Sequence, residues 1–273
     1  QLLTKMNHAF AAFSSIDQIM SIESRDEKTK DYKGVSLDNG EITIKSLNYN
    51  IGETKILEDI NMQIEDGEKV GIVGNIGSGK TTLLRNIVGF YMPSSGALNL
   101  GGYDIKNMPS EDLRKYVGYV PQKVQLFSAT IFENIKAGYE KASDEEVVEA
   151  AKLSCAHDFI SKLPGGYNYQ LVENGANLSG GQRQAIALAR SIIRKPKILV
   201  LDEPTSSMDG NTEQLLIENI FSLSFNPTII ISTHRTNHLN KVDKIGVLVD
   251  GKIVRFGLKE EVIAPTPNQQ AGN

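Results

Sequence analysis

The fold of this chain is decided by the stretch Gly74-Asn75-Ile76-Gly77-Ser78-Gly79-Lys80-Thr81. An apolar run, Lys69 to Val73, precedes it, and apolar residues at helical spacing follow it: Leu83, Leu84, Ile87 and Val88. Glycines let a backbone wrap closely around a phosphate, so that N–H groups and the helix N-terminus face the anion. Lys80 adds a positive charge, and Thr81 adds a hydroxyl for Mg²⁺. The order strand, glycine loop, helix predicts a phosphate-binding loop in an α/β protein.

A second buried strand ends in two adjacent carboxylates, Asp202 and Glu203, after the apolar run Ile198 to Leu201. Ligands of α/β proteins bind at the carboxyl ends of strands. Phosphoryl transfer needs positioning and charge compensation more than covalent chemistry. We therefore expect Asp202 to hold Mg²⁺ through water and Glu203 to polarise an attacking water. Without the glycine loop, two solvated carboxylates would be the better interpretation.

The remaining runs predict an α/β fold with an inserted helical lobe at about residues 123–195, broken by a loop at 164–178. Thr228 to Ser232 is short and β-branched, as inner strands of a parallel sheet are. Asp250-Gly251 predicts a hairpin between the last two strands. The other predicted strands are Glu41 to Asn48, Ile56 to Ile64, Lys197 to Leu201, Ile245 to Val249 and Lys252 to Val254.

Composition narrows the functional classes. The chain has 40% hydrophobic and 23% charged residues and a net charge of −4, which gives no overall electrostatic reason to expect a nucleic-acid partner. The one cysteine, Cys155, cannot form an internal disulfide and is expected to be a small buried residue in a reducing compartment. No apolar run approaches the roughly 18 residues that cross a bilayer. We expect this stretch of chain to be soluble.

The ends of the chain predict a piece of a longer membrane protein. An apolar stripe from Leu2 to Met20 has the spacing of an amphipathic helix. We expect residues 1–35 to be the end of a membrane-domain helix and a polar linker, residues 36–264 to be the compact domain, and residues 265–273 to be a flexible tail.

A third motif, Leu178-Ser179-Gly180-Gly181-Gln182, opens a helix that continues through Arg194. By itself it predicts a helix cap on Ser179 and a second anion site at a helix N-terminus. Its position between the glycine loop and Asp202-Glu203 resembles the signature of ABC transporter ATPase domains, over about Gly40 to Ile263. The resemblance implies a P-loop NTPase core with a parallel sheet, an α-helical subdomain and a small antiparallel β subdomain, with ATP and Mg²⁺ as cofactors.

The resemblance also implies residue roles. Catalysis is assigned to Lys80, Glu203 and His234, the last as a switch histidine at the γ-phosphate, and Mg²⁺ to Thr81, Gln122 and Asp202. The resemblance implies that adenine stacks on Tyr49 and that Asp209 lies in a loop that crosses to the other subunit. The full set of implied nucleotide contacts is Tyr49, Gly74, Asn75, Ile76, Gly77, Ser78, Gly79, Lys80, Thr81, Thr82, Gln122, Ser179, Gly180, Gly181, Gln182 and Asp209. Without the motif framework, Tyr49 would be interpreted as a strand aromatic and Gln122 as a solvated loop residue.

In this family the signature loop of one subunit covers ATP held by the other, so the resemblance implies an ATP-dependent homodimer. Glu173-Asn174-Gly175 resembles the loop by which fused exporters touch their membrane domain, here expected in the same polypeptide at the cytoplasmic side of a bacterial inner membrane. The run from Thr233 to Val254 resembles type I secretion ATPases, including RTX-toxin exporters, which work with an adaptor and an outer-membrane channel. Thr81 and Val172 depart from that pattern, and exporters of lipids, drugs or bacteriocins stay open.

A rival hypothesis is a soluble ABC-type ATPase that acts as a switch on nucleic acid or the ribosome. The loop at Glu173 and the N-terminal stripe are not required by such a switch, so nucleic acid is not the expected partner. The remaining histidines, His8, His157 and His238, match no motif and are expected to be structural.

Overall fold

A computed structural model describes Gly34 and residues 36–263. The N-terminal stripe, most of the linker and the predicted tail lie outside these residues. Among the described residues, no helix has the length and apolar character that crossing a membrane would require.

The described residues form ten strands and nine α-helices. The strands are β1 (Ile42–Ile51), β2 (Thr54–Ile64), β3 (Lys69–Val73), β4 (Ser95–Leu100), β5 (Tyr103–Asp104), β6 (Val117–Val120), β7 (Ile198–Asp202), β8 (Thr228–Ser232), β9 (Lys244–Val249) and β10 (Lys252–Leu258). The helices are α1 (Lys80–Ile87), α2 (Ser110–Tyr116), α3 (Ile131–Lys136), α4 (Asp144–Leu153), α5 (His157–Ile160), α6 (Gly180–Ile192), α7 (Gly210–Phe221), α8 (Thr236–Leu239) and α9 (Lys259–Ile263).

A six-stranded sheet in the order β10-β9-β3-β8-β7-β6 forms the centre of the fold. The strands β9, β3, β8, β7 and β6 run parallel, and β10 is antiparallel at the edge. Every residue of β7 and β8 is buried, as expected for inner strands with helices on both faces. The α/β fold predicted from the sequence is confirmed.

The second sheet is antiparallel, with four strands in the order β2-β1-β4-β5. The two predicted strands in this region correspond to β1 and β2. Strands β4 and β5, and β6 at the edge of the central sheet, are not among the strands predicted from the sequence. These segments are short or half exposed and lack the apolar runs on which the strand predictions rested.

The helical lobe contains α3 to α6 and lies within the predicted range 123–195. Three of its helices begin with reciprocal capping boxes, at Thr130, Ser143 and Ser179. Each box satisfies two backbone donors that a helix start would otherwise leave unpaired. The lobe and one face of the central sheet share a single hydrophobic cluster, so the lobe is packed onto the core.

The predicted hairpin at Asp250-Gly251 joins the two sheets and supports the phosphate-binding loop. Both residues have positive φ, 45° and 77°, as a type I′ turn requires. The Gly251 carbonyl accepts a hydrogen bond from the Glu58 amide at 2.8 Å, and its amide donates to the Ser78 carbonyl at 3.0 Å. A Cβ on Gly251 would lie 2.4 Å from the Ile56 carbonyl oxygen.

We expect Gly251→Ala to destabilise the protein more than Gly52→Ala. Both glycines have positive φ, but a Cβ on Gly52 meets nothing within 4 Å. Gly52→Ala should therefore cost only the backbone strain, about 1 kcal/mol, and Gly251→Ala should cost roughly 1–3 kcal/mol more because the contact with Ile56 must be relieved. Urea unfolding of the two variants measures the difference, and equal losses would show that close approach at Gly251 is unimportant.

Candidate nucleotide-binding and hydrolysis site

The phosphate-binding loop connects the end of β3 to the first residue of α1. Its turn depends on Gly77 and Gly79, whose φ values are 84° and 104°. A Cβ on Gly74 would lie 2.2 Å from the Leu248 carbonyl and 2.6 Å from the Ser78 hydroxyl, so only glycine fits there. The loop therefore has the conformation that its glycines predict.

Polar groups of this loop converge on one small region. The Lys80 ammonium donates to the carbonyl oxygens of Gly74 and Asn75, at 2.7 and 3.0 Å. The Ser78 hydroxyl is buried and has no hydrogen-bond partner among the described residues. A buried polar atom without a partner is costly in a folded protein, and a phosphate oxygen is a suitable partner for it. The predicted contact residue Thr82 lies half-buried in the first turn of α1.

Asp202 is buried where β7, β8 and α1 meet. One carboxylate oxygen accepts from the Ser232 hydroxyl at 2.6 Å, and the other accepts from the Thr81 hydroxyl at 2.8 Å. Asp202 is only 1% exposed, so its charge requires such partners. The structure therefore places the predicted Thr81 and Asp202 side by side.

Glu203 has a strained backbone and points into the same region. Its φ of 49° is a left-handed conformation that costs a non-glycine residue about 1–2 kcal/mol. Its side chain accepts from the Gln122 amide at 2.9 Å, and its other carboxylate oxygen lies 3.7 Å from Nδ1 of His234. The site therefore brings together the predicted residues Gln122, Glu203 and His234, of which Gln122 and His234 are exposed.

These oxygen ligands fit Mg²⁺. Magnesium in phosphate sites is held by one or two protein ligands together with water and phosphate oxygens. Thr81 and Asp202 supply a hydroxyl and a carboxylate, and the described residues contain no cluster of three or more His, Cys, Asp or Glu that could enclose a metal without such help. The two residues would hold a cation that neutralises phosphate charge.

The signature residues begin α6. Ser179 caps the helix by accepting from the Gln182 amide, and the Gln182 side chain accepts from the Ser179 amide, so the predicted helix cap is confirmed. A Cβ on Gly180 would lie 2.7 Å from the Ser207 Cβ, and one on Gly181 would lie 3.0 Å from the Ser207 carbonyl. No hydrogen bond found among the described residues joins the signature to the phosphate-binding loop.

Asp209 and Tyr49 occupy more peripheral positions. Asp209 caps α7, and hydrogen bonds from the Thr212 amide and hydroxyl lower the pKa of its carboxyl below the usual value. Tyr49 is half-buried in β1, and one face of its ring stacks on Tyr91, with centroids 5.2 Å apart. The Tyr91 hydroxyl accepts from Arg85 of α1 at 2.9 Å. The base-stacking candidate is therefore supported by the helix that begins at Lys80.

Sequence reasoning missed several residues that hold the site together. Ser232 binds Asp202 and accepts from the Glu203 amide at 3.1 Å. The Gln184 amide contacts the Glu203 carbonyl at 3.3 Å and the Ser206 hydroxyl at 3.0 Å. The available signal was positional: Ser232 is the polar last residue of a buried strand, and Gln184 lies on the apolar side of α6.

The histidines expected to be structural differ from one another. His8 lies outside the described residues, and His157 contacts the Tyr167 hydroxyl at 2.9 Å. His238 is 2% exposed and contacts Glu213 and Thr233. Burial, followed by the charges of Arg235 and His234, lowers the pKa of His238 from 6.5 to about 4. Glu213 faces the same ring, but its carboxylate is also paired with Arg235.

This pKa predicts a defined loss of stability in acid. Because the folded protein binds the His238 proton less tightly than the unfolded chain does, the stabilisation is complete above pH 6.5 and is lost as the pH falls towards about 4. We expect the difference in unfolding free energy between wild type and His238→Gln to shrink over that range. Urea unfolding from pH 7.5 to 4.5 measures it, and a constant difference would contradict the lowered pKa.

Comparisons with known proteins agree with this site. The family model described as ABC transporter matches residues 57–206, which is more than half of the chain. The Transport/processing ATP-binding protein ComA of Streptococcus pneumoniae is 37% identical over 96% of this chain and 37% of its own length. A Staphylococcus aureus protein whose name assigns it to multidrug export, as an ATP-binding/permease protein, is 45% identical over 80% of this chain and 38% of its own length.

The fold is also that of a solved relative. A structure described as a bacterial Atm1-family ABC exporter with ATP bound has a TM-score of 0.80 and 33% identity, covering 84% of this chain and 41% of that chain. The chain thus spans about two fifths of the length of these relatives. It belongs to the ABC transporter ATPase family, whose members bind and hydrolyse ATP.

Proposed function

We propose that this chain is the ATP-hydrolysing domain of a bacterial exporter and that it works at the cytoplasmic side of the inner membrane. The observation that carries the proposal is the meeting of Lys80, Thr81, Gln122, Asp202 and Glu203 at the carboxyl edge of the central sheet. A lysine, a hydroxyl and two carboxylates at a glycine-rich helix start are the groups that phosphoryl transfer requires.

Each group has a distinct task in this proposal. The loop amides and Lys80 bind the phosphates. Thr81, Gln122 and Asp202 hold Mg²⁺. Glu203 orients and polarises the attacking water, because its carboxylate is held by Gln122 at 2.9 Å and pairs with no lysine or arginine among residues 36–263. His234 contacts the γ-phosphate. Tyr49 offers adenine the ring face that Tyr91 leaves uncovered.

The proposed active form is a homodimer with two ATP molecules between the subunits. Support comes from the second predicted anion site at Ser179 to Gln182, whose two glycines lie close to Ser207 and Met208. An anion site that shares no hydrogen bond with the phosphate-binding loop among the described residues is explained if it serves the nucleotide of a second copy. Tighter ATP binding to the closed dimer would supply the work of transport.

The remaining partners follow from the exporter assignment. We propose a membrane domain in the same polypeptide, consistent with relatives more than twice as long as this chain. For the transported molecule we retain a protein or toxin of type I secretion, with its adaptor and outer-membrane channel. The resemblance from Thr233 to Val254 supports this proposal, whereas the name of the Staphylococcus aureus relative supports a drug exporter.

We expect Glu203→Gln to retain ATP binding, to slow turnover by about 10²-fold or more and to accumulate an ATP-bound dimer. The amide preserves the size and the contact with Gln122 but cannot polarise water as a carboxylate does. Steady-state hydrolysis with Mg²⁺ and light scattering with ATP measure both effects.

The matched control is Glu218→Gln, which removes the charge of an exposed glutamate on α7 and should leave turnover unchanged. Wild-type hydrolysis should rise with protein concentration more steeply than linearly, because the active form is a dimer. Normal turnover in Glu203→Gln would refute the role of this carboxylate, and salt-dependent binding to DNA or RNA would favour a nucleic-acid switch instead.

A further inference from the structure

Two loops of the site are joined by a buried polar cluster that the proposed chemistry does not use. One loop, residues 203–209, follows β7 and leads from Glu203 to Asp209. The other, residues 233–235, follows β8 and carries His234. Between them lie the side chains of Thr205, Glu213, Thr233 and His238, all no more than 3% exposed. We call these four residues the clamp.

The hydrogen bonds of the clamp form a continuous chain with one consistent set of donors. The Thr233 hydroxyl accepts from the Arg235 amide at 3.0 Å and lies 2.9 Å from Nδ1 of His238. Nε2 of His238 lies 2.6 Å from the Glu213 carboxylate and 3.5 Å from the Thr205 hydroxyl. A neutral imidazole satisfies both ends, since Nδ1 accepts from Thr233 and Nε2–H donates to Glu213.

One residue of the clamp also forms an ion pair. The Glu213 carboxylate is paired with the guanidinium of Arg235, the residue after His234. Because a buried carboxylate is stable only when it is paired and hydrogen-bonded, Glu213 holds His238 and Arg235 together. Glu213 also lies in the first turn of α7, and its amide donates to the Asp209 carbonyl at 2.9 Å.

We propose that the clamp positions His234 and Asp209 with respect to each other, so that His238 acts as a positioning residue for hydrolysis. The inference rests on the proposed function of His234 and Asp209. The loop 233–235 would contact the γ-phosphate of this subunit's nucleotide through His234, and the loop 203–209 would cross to the second subunit at Asp209. A rigid link between them makes the dimer contact depend on whether γ-phosphate is bound.

A positioning role for the clamp and a purely structural role predict changes in different measured quantities. A purely structural role lowers stability and leaves the chemistry of the folded fraction unchanged. A positioning role lowers kcat while nucleotide affinity stays near normal, because the side-chain hydrogen bonds found for Lys80 among the described residues go to the phosphate-binding loop and not to the clamp. Loss of position at a reacting group can cost about 10²-fold in rate.

The test is Thr233→Val, compared with Thr228→Val in the full 273-residue chain. Both threonines are buried: Thr228 is the first residue of β8, and Thr233 directly follows its last residue. Both hydroxyls accept from a backbone amide, that of Gly67 at 2.9 Å in the case of Thr228 and that of Arg235 at 3.0 Å in the case of Thr233. Both changes retain the shape of the side chain and remove a comparable hydrogen bond. Only Thr233→Val removes a hydrogen bond of the clamp, the one between the Thr233 hydroxyl and Nδ1 of His238.

We expect Thr233→Val to lower kcat about tenfold to a hundredfold, with the Kd for a fluorescent ATP analogue changed by less than about twofold. Thr228→Val should retain the wild-type kcat. Equal kcat values in the two variants, or a loss of kcat in Thr233→Val matched by an equal loss of affinity, would overturn the proposal.

Hydrogen exchange separates this inference from the proposed function, since it requires no hydrolysis. In Thr233→Val the backbone amides of residues 203 and 205–209, in the loop that does not carry the substitution, should exchange faster than in wild type. In Thr228→Val they should not. Faster exchange limited to residues 233–239 would overturn the clamp, whereas an inactive wild type with the expected exchange pattern would refute only the proposed hydrolysis.

Discussion

The site depends on one buried charge, the carboxylate of Asp202. It is held at the same time by the last residue of β8, Ser232, and by the second residue of α1, Thr81. Parallel pairing places Asp202 opposite Ser232, so the register of the sheet determines the contact. A carboxylate that is removed from water needs these bonds. The phosphate-binding helix, two central strands and Glu203 are therefore fixed relative to one another by a single group.

Much of the fold could be predicted because its central strands are short, apolar and bounded by glycine or charge. Lys69–Val73 and Thr228–Ser232 have the bounds that their runs indicate. Strand β4 could not be predicted in this way, because Ser95–Leu100 begins with a serine and a glycine and is only partly buried. It is stabilised by pairing with β1, about fifty residues away in sequence. Val117–Val120 follows a helix without an intervening turn, so the local pattern conceals it.

The site could be predicted only where its residues form motifs. Gly74 to Thr81, Ser179 to Gln182 and Asp202-Glu203 are contiguous, and the structure brings Thr81, Gln122, Asp202, Glu203 and His234 into proximity. Ser232, Gln184 and Glu213 are single residues whose partners are up to about thirty positions away, so no spacing rule identifies them. His238 illustrates the limit: a histidine that matches no motif predicts only a structural role, and its connections appear only once two loops are folded together.

The backbone of Glu203 has a consequence for protein engineering. A residue at φ 49° would be more stable as glycine or asparagine, which adopt that conformation at lower cost. Under the role proposed for this carboxylate, the substitutions that stabilise the position are the ones that remove hydrolysis. A library screened for thermal tolerance alone would therefore enrich inactive proteins at this position, and a selection for robust variants must include turnover from the first round.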